Sequence, residues 1–441
     1  MDADLGDLMS VGILAIVIAG STLMLLVRFD LVPGGRSGAV AGSGGRWIVA
    51  AGLGLGIIAF AMKLTIVAVV SHFPSQMVAP LIEDVGKARF DLAETGTSPE
   101  RISRIVWQAL PDQAPAPAGN PTTPARVALG ERLFFDPALS RNGAFSCASC
   151  HDPLLAGADG RAGSVGITAI AGRRNAPTVW NAAFQAVLFW DGRAASLEDQ
   201  AKGPMVNPDE MGMPSLEAVE RAVRADPAYR DAFADAFGAT TPITIDRIAE
   251  AIAAYERTLI TPDTAYDRFV RGDGDALSPA QRRGMALFQS VGCVTCHTGP
   301  NFSGASLFGT GSPYRLFPAN ASPYDQRYRL IDDKGRAGPG AERGVWRIPS
   351  LRNVALTGPY FHNGAVDDLA EAVRVMATVQ LNAVLTDDPR LGRMAEWSPE
   401  AGTLAVYGRR VLSGADIDDI VAFLNALSSP SLAARKASIG R

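Results

Sequence analysis

The chain has 441 residues, enough for two or three domains, with 47% hydrophobic residues and a formal net charge of −4. Charge this close to balance leaves no basic footprint for a polyanion, so no nucleic-acid partner is expected. There are only four cysteines and four histidines, and all four cysteines fall in two Cys-x-x-Cys-His strings, which leaves none over for a disulfide.

Residues 8–27 form an apolar run without charge, and residues 47–70 form a second, interrupted only by Lys63. At about 1.5 Å rise per helical residue, either run spans a hydrocarbon core of roughly 30 Å. Residues 1–75 are therefore predicted to be a two-span transmembrane anchor in contact with membrane lipid. The connector carries Arg28, Arg36 and Arg46 against Asp30, whereas the tip carries Asp2, Asp4 and Asp7 and no base. The positive-inside rule puts the connector in the cytoplasm and everything after Val70 outside it. The acidic start and the second span argue against a cleaved signal peptide. Lys63, near the outer end of its span, reads as a snorkelling side chain, and His72 as an interfacial one.

Residues 76–124 read as a helical segment followed by a linker. The helix is predicted over 77–110, with a start at Ser98-Pro99-Glu100-Arg101. The Pro-rich stretch 111–124 is predicted to be extended. The remainder repeats itself weakly. Leu129-Gly130-x-x-Leu133-Phe134 precedes the first Cys-x-x-Cys-His, and Arg283-Gly284-x-x-Leu287-Phe288 precedes the second. Phe189-Trp190-Asp191-Gly192 matches Phe361-His362-Asn363-Gly364, and Ser196-Leu197-Glu198 matches Asp368-Leu369-Ala370 at the same offset. Two packed copies of one unit account for this, divided as 125–265 and 266–441. Helices are predicted over 215–237, 246–259, 279–290, 369–376 and 416–427. Strand-like alternation is scarce, and Gly- and Pro-rich connections fill 301–344. The fold class is mainly α: two cytochrome c-like domains preceded by two transmembrane helices.

Cys147-Ala-Ser-Cys150-His151 and Cys293-Val-Thr-Cys296-His297 are haem attachment strings. Two thiols one turn apart reach the two vinyl groups, and the adjacent imidazole becomes the proximal iron ligand. The alternative, two halves of a zinc site, would need pairs much closer in sequence. Two covalently bound haem c groups are expected, with His151 and His297 as iron ligands. A pair of haems permits either electron transfer or catalysis, and the sixth coordination position decides between them.

These strings, with Leu133-Phe134-Phe135-Asp136, Arg174-Asn175-Ala176-Pro177-Thr178, Phe189-Trp190-Asp191-Gly192-Arg193, Glu210-Met211-Gly212, Pro349-Ser350-Leu351-Arg352-Asn353 and Pro359-Tyr360-Phe361-His362, occur in one order over residues 125–427. In this the chain resembles the bacterial dihaem cytochrome c peroxidase family, which also includes the MauG-type enzymes. The two spans and an insertion near 385–410 lie outside the family pattern.

The resemblance implies that the haem on His151 is peroxidatic and that Glu210 is the catalytic acid, with Gln200 beside it. Cleavage of a peroxide needs a proton moved from its inner to its outer oxygen, which a positioned carboxyl can do. The resemblance also implies that the haem on His297 donates electrons, that Met376 is its distal ligand, and that Trp190 passes electrons between the haems. A His/Met pair raises the potential, as an electron reservoir requires. Asn175, Thr357 and Pro359 match the family's calcium site, so one calcium ion is implied as well. His362 falls near the second haem, where a structural hydrogen bond is its expected role.

The family further implies hydrogen peroxide as substrate and an electron donor, and the membrane anchor permits a c-type cytochrome, a copper protein or quinol in that place. The two predicted spans and their orientation, with the bacterial resemblance, lead to the expectation of the inner membrane of a bacterium with the haem domains on the periplasmic side; the family is commonly homodimeric. The competing functions are a MauG-type protein-modifying oxidase and a non-catalytic dihaem electron carrier.

One departure stands out. Family peroxidases that rest inactive carry a capping histidine between the first haem string and Arg174. Here residues 152–174 contain none, and Ile167 falls at about that place. MauG-type enzymes also lack the cap, but they carry a tyrosine where Met376 stands. The oxidised protein is therefore expected to react with peroxide without prior reduction, unless Met205, Met211 or Met213 closes the site.

Overall fold

The computed structural model describes residues 107–309, 311–388 and 411–439. The two predicted membrane spans, most of the helix predicted at 77–110 and most of the 385–410 insertion lie outside the described residues. Among the described residues no helix is long and apolar enough to cross a membrane.

The end of the predicted 77–110 helix is not helical: residues 107–110 are irregular. Pro111 disfavours the helical conformation before it. Trp107 sinks instead among Tyr266, Phe288, Phe302 and Phe423, and the Leu110 N–H donates to Asp267 Oδ1 at 2.9 Å. The Pro-rich stretch then runs to the first helical unit, where Asn120 Nδ2 donates to Glu198 Oε1 at 2.7 Å and to the Glu250 carbonyl at 2.9 Å. The predicted linker is thus a strap, fixed to the second unit at one end and to the first at the other.

The first unit opens with α1 (Pro124–Phe135). Thr123 caps it by accepting from the Arg126 N–H, and Pro124 fills the first position, where no N–H is needed. There follow α2 (Leu197–Val206), α3 (Leu216–Ala225), α4 (Pro227–Phe237) and α5 (Ile245–Glu256). The sequence predicted one helix over 215–237. The structure breaks it at Asp226-Pro227, because proline cannot donate to the preceding turn and Asp226 caps the new helix by accepting from the Ala228 N–H. Leu133, Phe134, Met205, Phe233, Ile248 and Ile252 lie in the core between these helices.

The second unit contains α6 (Ala265–Val270), α7 (Pro279–Val291), strand β1 (Tyr314–Phe317), α8 (Pro323–Arg327), strand β2 (Gly344–Arg347), α9 (Leu369–Leu381), the two-residue strands β3 (Val384–Leu385) and β4 (Val411–Leu412), α10 (Gly414–Ala426) and α11 (Pro430–Ile439). Strands β1 and β2 pair antiparallel with Tyr314 opposite Arg347, and β3 pairs parallel with β4. Helix α9 runs five residues beyond its predicted end at Met376 and stops where Asn382 turns left-handed at φ 54°.

The weak sequence repeat is a structural one. Gly130 on α1 meets α5 so closely that a Cβ would lie 1.8 Å from the Ala251 carbonyl oxygen, and Gly284 on α7 meets α10 with a Cβ 1.8 Å from that of Asp419. Only glycine permits either crossing. Asn181 and Asn353, 172 residues apart, are both left-handed and both open a single 3-10 turn, Ala182–Phe184 and Val354–Leu356. Isolated bridges at Leu188–Ala194 and Tyr360–Val366 keep the same offset. The two copies also interlock: the Asn175 N–H donates to the His362 carbonyl at 2.8 Å, and its counterpart Arg347 donates to that of Trp190 at 2.9 Å.

Candidate functional site

Each Cys-x-x-Cys-His string forms a 3-10 turn, Cys147–Ser149 and Cys293–Thr295. In the first, the His151 N–H donates to the Cys147 carbonyl at 3.0 Å; in the second, His297 does the same to Cys293 at 3.0 Å. This brings both sulfurs and the imidazole to one side of the turn. His151 Nδ1 faces the Gly157 carbonyl at 3.3 Å, and His297 Nδ1 faces that of Phe302 at 3.2 Å. A carbonyl can only accept, so the proton sits on Nδ1 and the lone pair on Nε2, as an iron ligand needs. Burial lowers both imidazoles, His297 to about 4, which keeps them neutral.

Both turns open into one apolar-walled cavity of about 940 Å³, lined by residues of both units, including all four cysteines, His151 and His297. None of the four thiols is taken up in a disulfide. Burial, with Glu256 adding to it, pushes the Cys147 thiol up to about 12. Among the described residues no group of three or more His, Cys, Asp or Glu is placed to hold a metal ion. The cavity instead offers, in each unit, two thiols and one neutral imidazole, the set that a covalently attached haem needs.

On the wall near His151 stand Glu210, Gln200 and Met211. Glu210 lies in the turn after α2, where Asn207 Nδ2 donates to its Oε1 at 2.8 Å. Burial pushes its carboxyl up; the Arg193 guanidinium and the Asn207 amide pull the other way, and Asp209 adds to the rise. Gln200 projects from α2. The histidine-free loop packs on this turn: the Ile167 N–H donates to the Glu210 carbonyl at 3.0 Å, and a Cβ on Gly212 would lie 2.0 Å from Ile167 Cδ1. Ile167 is thus wedged against Gly212, while the neighbouring Gly166 lines the cavity. Of the three methionines, Met205 and Met213 are core residues, and Met211 also borders the cavity.

At the other end, α9 presents Ala372, Met376 and Gln380, one turn apart, to the same cavity. Trp190 stands between the units with its Nε1 donating to the Asn175 carbonyl at 2.8 Å.

A family model described as di-haem cytochrome c peroxidase matches residues 124–275. Cytochrome c551 peroxidase of Pseudomonas aeruginosa is 39% identical over 328 residues, which is 73% of this chain and 84% of that protein. The chain belongs to the di-haem cytochrome c peroxidase family. MauG of Methylorubrum extorquens, a methylamine utilization protein, is 39% identical over 269 residues, 60% of this chain and 71% of that one. The crystal structure of a MauG-like protein associated with microbial copper homeostasis superposes with a TM-score of 0.58 at 28% identity, covering 75% of this chain and 99% of that one. Membership implies two haem c groups and an oxidoreductase.

The remaining candidates follow from the interlock of the two units. Asn175, Thr357 and Pro359 all line the cavity. Asn175 Nδ2 donates to the Arg161 carbonyl at 2.7 Å, which turns its Oδ1 the other way; oxygen donors of this kind suit a hard cation. His362 does not make the structural hydrogen bond expected of it: its buried Nε2 has no partner, and its ring stacks on Trp346 at 4.0 Å between centroids.

Several cavity residues were not singled out from sequence. Arg174 pairs with Asp191 at 2.8 Å and Asp333 at 2.7 Å and lies over Trp346. Arg193 lies over Phe189 and bonds Asp191 at 3.0 Å. Glu256 is buried on the wall of the first site. The 172-residue offset could have found one of them, because it pairs Arg174 with Trp346, and Trp190 with His362.

Proposed function

We propose that this chain is a peroxidase that reduces hydrogen peroxide to two waters, taking up two electrons and two protons. The observation that carries this reading is Glu210: a half-buried carboxyl held by Asn207 on the wall of the cavity into which His151 points. When bound, the haems supply the iron that activates peroxide and the means of accepting one electron at a time.

The chain supplies the rest. His151 Nε2 offers a neutral lone pair, fixed by the carbonyl at Nδ1. Glu210 takes the proton from the inner oxygen of peroxide and returns it to the outer one. Its raised proton affinity suits this traffic, since an acid works best with a pKa near the working pH. Gln200 orients the substrate from α2. Trp190, hydrogen-bonded to Asn175, carries electrons between the sites, and His297 with Met376 sets a high potential at the second. Asn175, Thr357 and Pro359 hold one calcium ion that stiffens the interlock.

The electron donor is a c-type cytochrome, a copper protein or quinol. The haem domains face the periplasm on an inner-membrane anchor formed by residues 1–75, and the chain works as a homodimer. One observation favours a second reading, that of a MauG-type protein-modifying oxidase: the loop over the first site carries Ile167, wedged against Gly212, and no capping histidine. Met376, where MauG-type enzymes carry tyrosine, weighs for the peroxidase.

Steady-state oxidation of a reduced c-type cytochrome by peroxide tests the proposal. Turnover is expected, and protein with two haems but no peroxide turnover would overturn it. The all-ferric protein should also change its Soret band when mixed with peroxide. A low-spin six-coordinate resting spectrum, silent until one electron is added, would show the site closed, with Met211 the residue placed to do it.

A further inference from the structure

Helices α5 and α10 occupy equivalent places in the two units, and their inward faces can be compared residue by residue at an offset of 168. Tyr255 and Phe423 lie beneath the glycine crossings. Ile252 and Ile420 both line the cavity, as do Glu256 and Leu424. The two walls are alike except at the last pair, where the first unit has an acid and the second a leucine.

Nothing in the packing accounts for that acid. Glu256 is 4% exposed, and its Oε2 is buried with no hydrogen-bond partner. The neighbouring Arg257 turns its guanidinium away, to Glu198 on α2 at 2.6 Å. Burying a carboxyl without a partner is unfavourable by several kcal/mol when it is charged, and by about 1–3 kcal/mol when it is neutral. Leu424 shows that the fold is satisfied by an apolar side chain at this place. The unit proposed to be peroxidatic therefore keeps a buried proton site that the electron-donating unit lacks.

We infer that Glu256 is a positioning residue that ties the redox state of the first haem site to a proton: one electron entering the iron held by His151 brings one proton onto the Glu256 carboxylate, and reoxidation releases it. This rests on the haem reading of Cys147, Cys150 and His151. An oxidised haem carries a positive charge that favours the anionic carboxylate, and reduction removes that charge. In a buried setting the acid's proton affinity then rises. The charged and titratable groups coupled to Glu256 are Arg257 and Tyr255 on its own helix, Glu198 from α2 and Cys147 from the haem turn; α1 meets α5 through Gly130. Burial, opposed by Arg257 and reinforced by Glu198, pushes the carboxyl up to about 8, so its titration falls in the working range. Each electron that arrives in the first site then comes with one of the two protons that peroxide reduction consumes.

The test is a spectroelectrochemical titration of the first haem in the holoprotein across neutral pH. In the parent chain the potential should fall as pH rises, approaching a tenfold change in the redox equilibrium per pH unit, about 59 mV for one electron. In Glu256→Gln and Glu256→Leu that slope should shrink by at least half, with the second haem's potential unmoved. An unchanged slope in both variants overturns the inference. Should neither variant keep its haems, redox-difference infrared spectra of the parent chain with ¹³C-labelled glutamate decide. A labelled protonated-carboxyl band must grow on reduction and persist in Glu210→Gln; its absence overturns the inference. Haem content, measured separately, tests the attachment reading: fewer than two haems per chain would fault that reading and not the role of Glu256.

Discussion

The two units place the same turn, the same helix crossing and the same imidazole geometry around different fastenings. In the first, Trp180 Nε1 donates to the carbonyl of Pro153, just after the haem turn, at 3.1 Å. In the second, the equivalent residue is Arg352. Its Nε donates to the Pro300 carbonyl at 2.8 Å, and its fork grips Asp267 at 2.6 and 2.9 Å. Arg352 and Asp267 have no exposed side-chain surface, and Asp267 also receives the Leu110 N–H of the strap. At this equivalent position one unit thus uses a single neutral hydrogen bond and the other a buried ion pair. A repeat can keep its geometry while one copy is fastened by a buried ion pair and the other keeps two carboxyls, Glu210 and Glu256, on the cavity wall.

The largest expected effect separates the units by chemistry. Glu210→Gln should keep both haem spectra and lower peroxide turnover about 10²–10⁴-fold, the usual contribution of a general acid–base group. A loss under about tenfold, read from steady-state rates, would move the proton transfer to another residue.

Fastening comes next. Arg352→Ala leaves Asp267 charged and buried and should destabilise the protein by about 3–5 kcal/mol, whereas Trp180→Phe loses one neutral hydrogen bond and should cost about 0.5–1.5 kcal/mol. Denaturant melts of the holoprotein measure both, and equal losses would erase the contrast between the units.

The crossings should behave alike. Gly130→Ala and Gly284→Ala each drive a Cβ into a backbone carbonyl of the facing helix. Each should cost about 1–3 kcal/mol as the helices separate. A difference larger than the loss itself, in the same melts, would show that one crossing is looser than its twin.

The smallest effect is in the pH profile. Arg352 and Thr264 hold the buried Asp267 carboxyl below its ordinary range, against desolvation that would raise it. Its stabilisation is therefore present above the ordinary aspartate pKa of 3.8 and is lost as pH falls through the depressed value. Glu256 has the opposite sign. With the first site reduced, the carboxyl's folded value of about 8 stands above the ordinary 4.5, so the folded chain holds a proton that the unfolded chain has shed, and stability falls as pH rises between those values. Thermal melts across pH should show both flanks. Glu256→Leu should flatten the alkaline one and leave the acid one in place.

Sequence alone determined the haem turns, because Cys-x-x-Cys-His is a local geometry that needs only five consecutive residues. It also determined the repeat and the positions of α5, α7 and α10, whose apolar spacing is written along a single helix. Glu210, Gln200, Met376 and Trp190 were legible only through the order of family strings, since a lone loop acid or helix methionine carries no local signal. The break at Asp226-Pro227 was legible in principle, because proline cannot continue the turn before it.

Tertiary structure decided what depends on distant partners. It turned the 111–123 stretch into a strap, by bringing Asp267 and Glu198 to its ends. It stacked His362 on Trp346, and it wedged Ile167 against Gly212 in the loop that carries no histidine. It also left Glu256 buried without a partner: one residue before Arg257 in the sequence it looks like half of an ordinary charge pair, and only the folded chain shows that Arg257 has gone to Glu198.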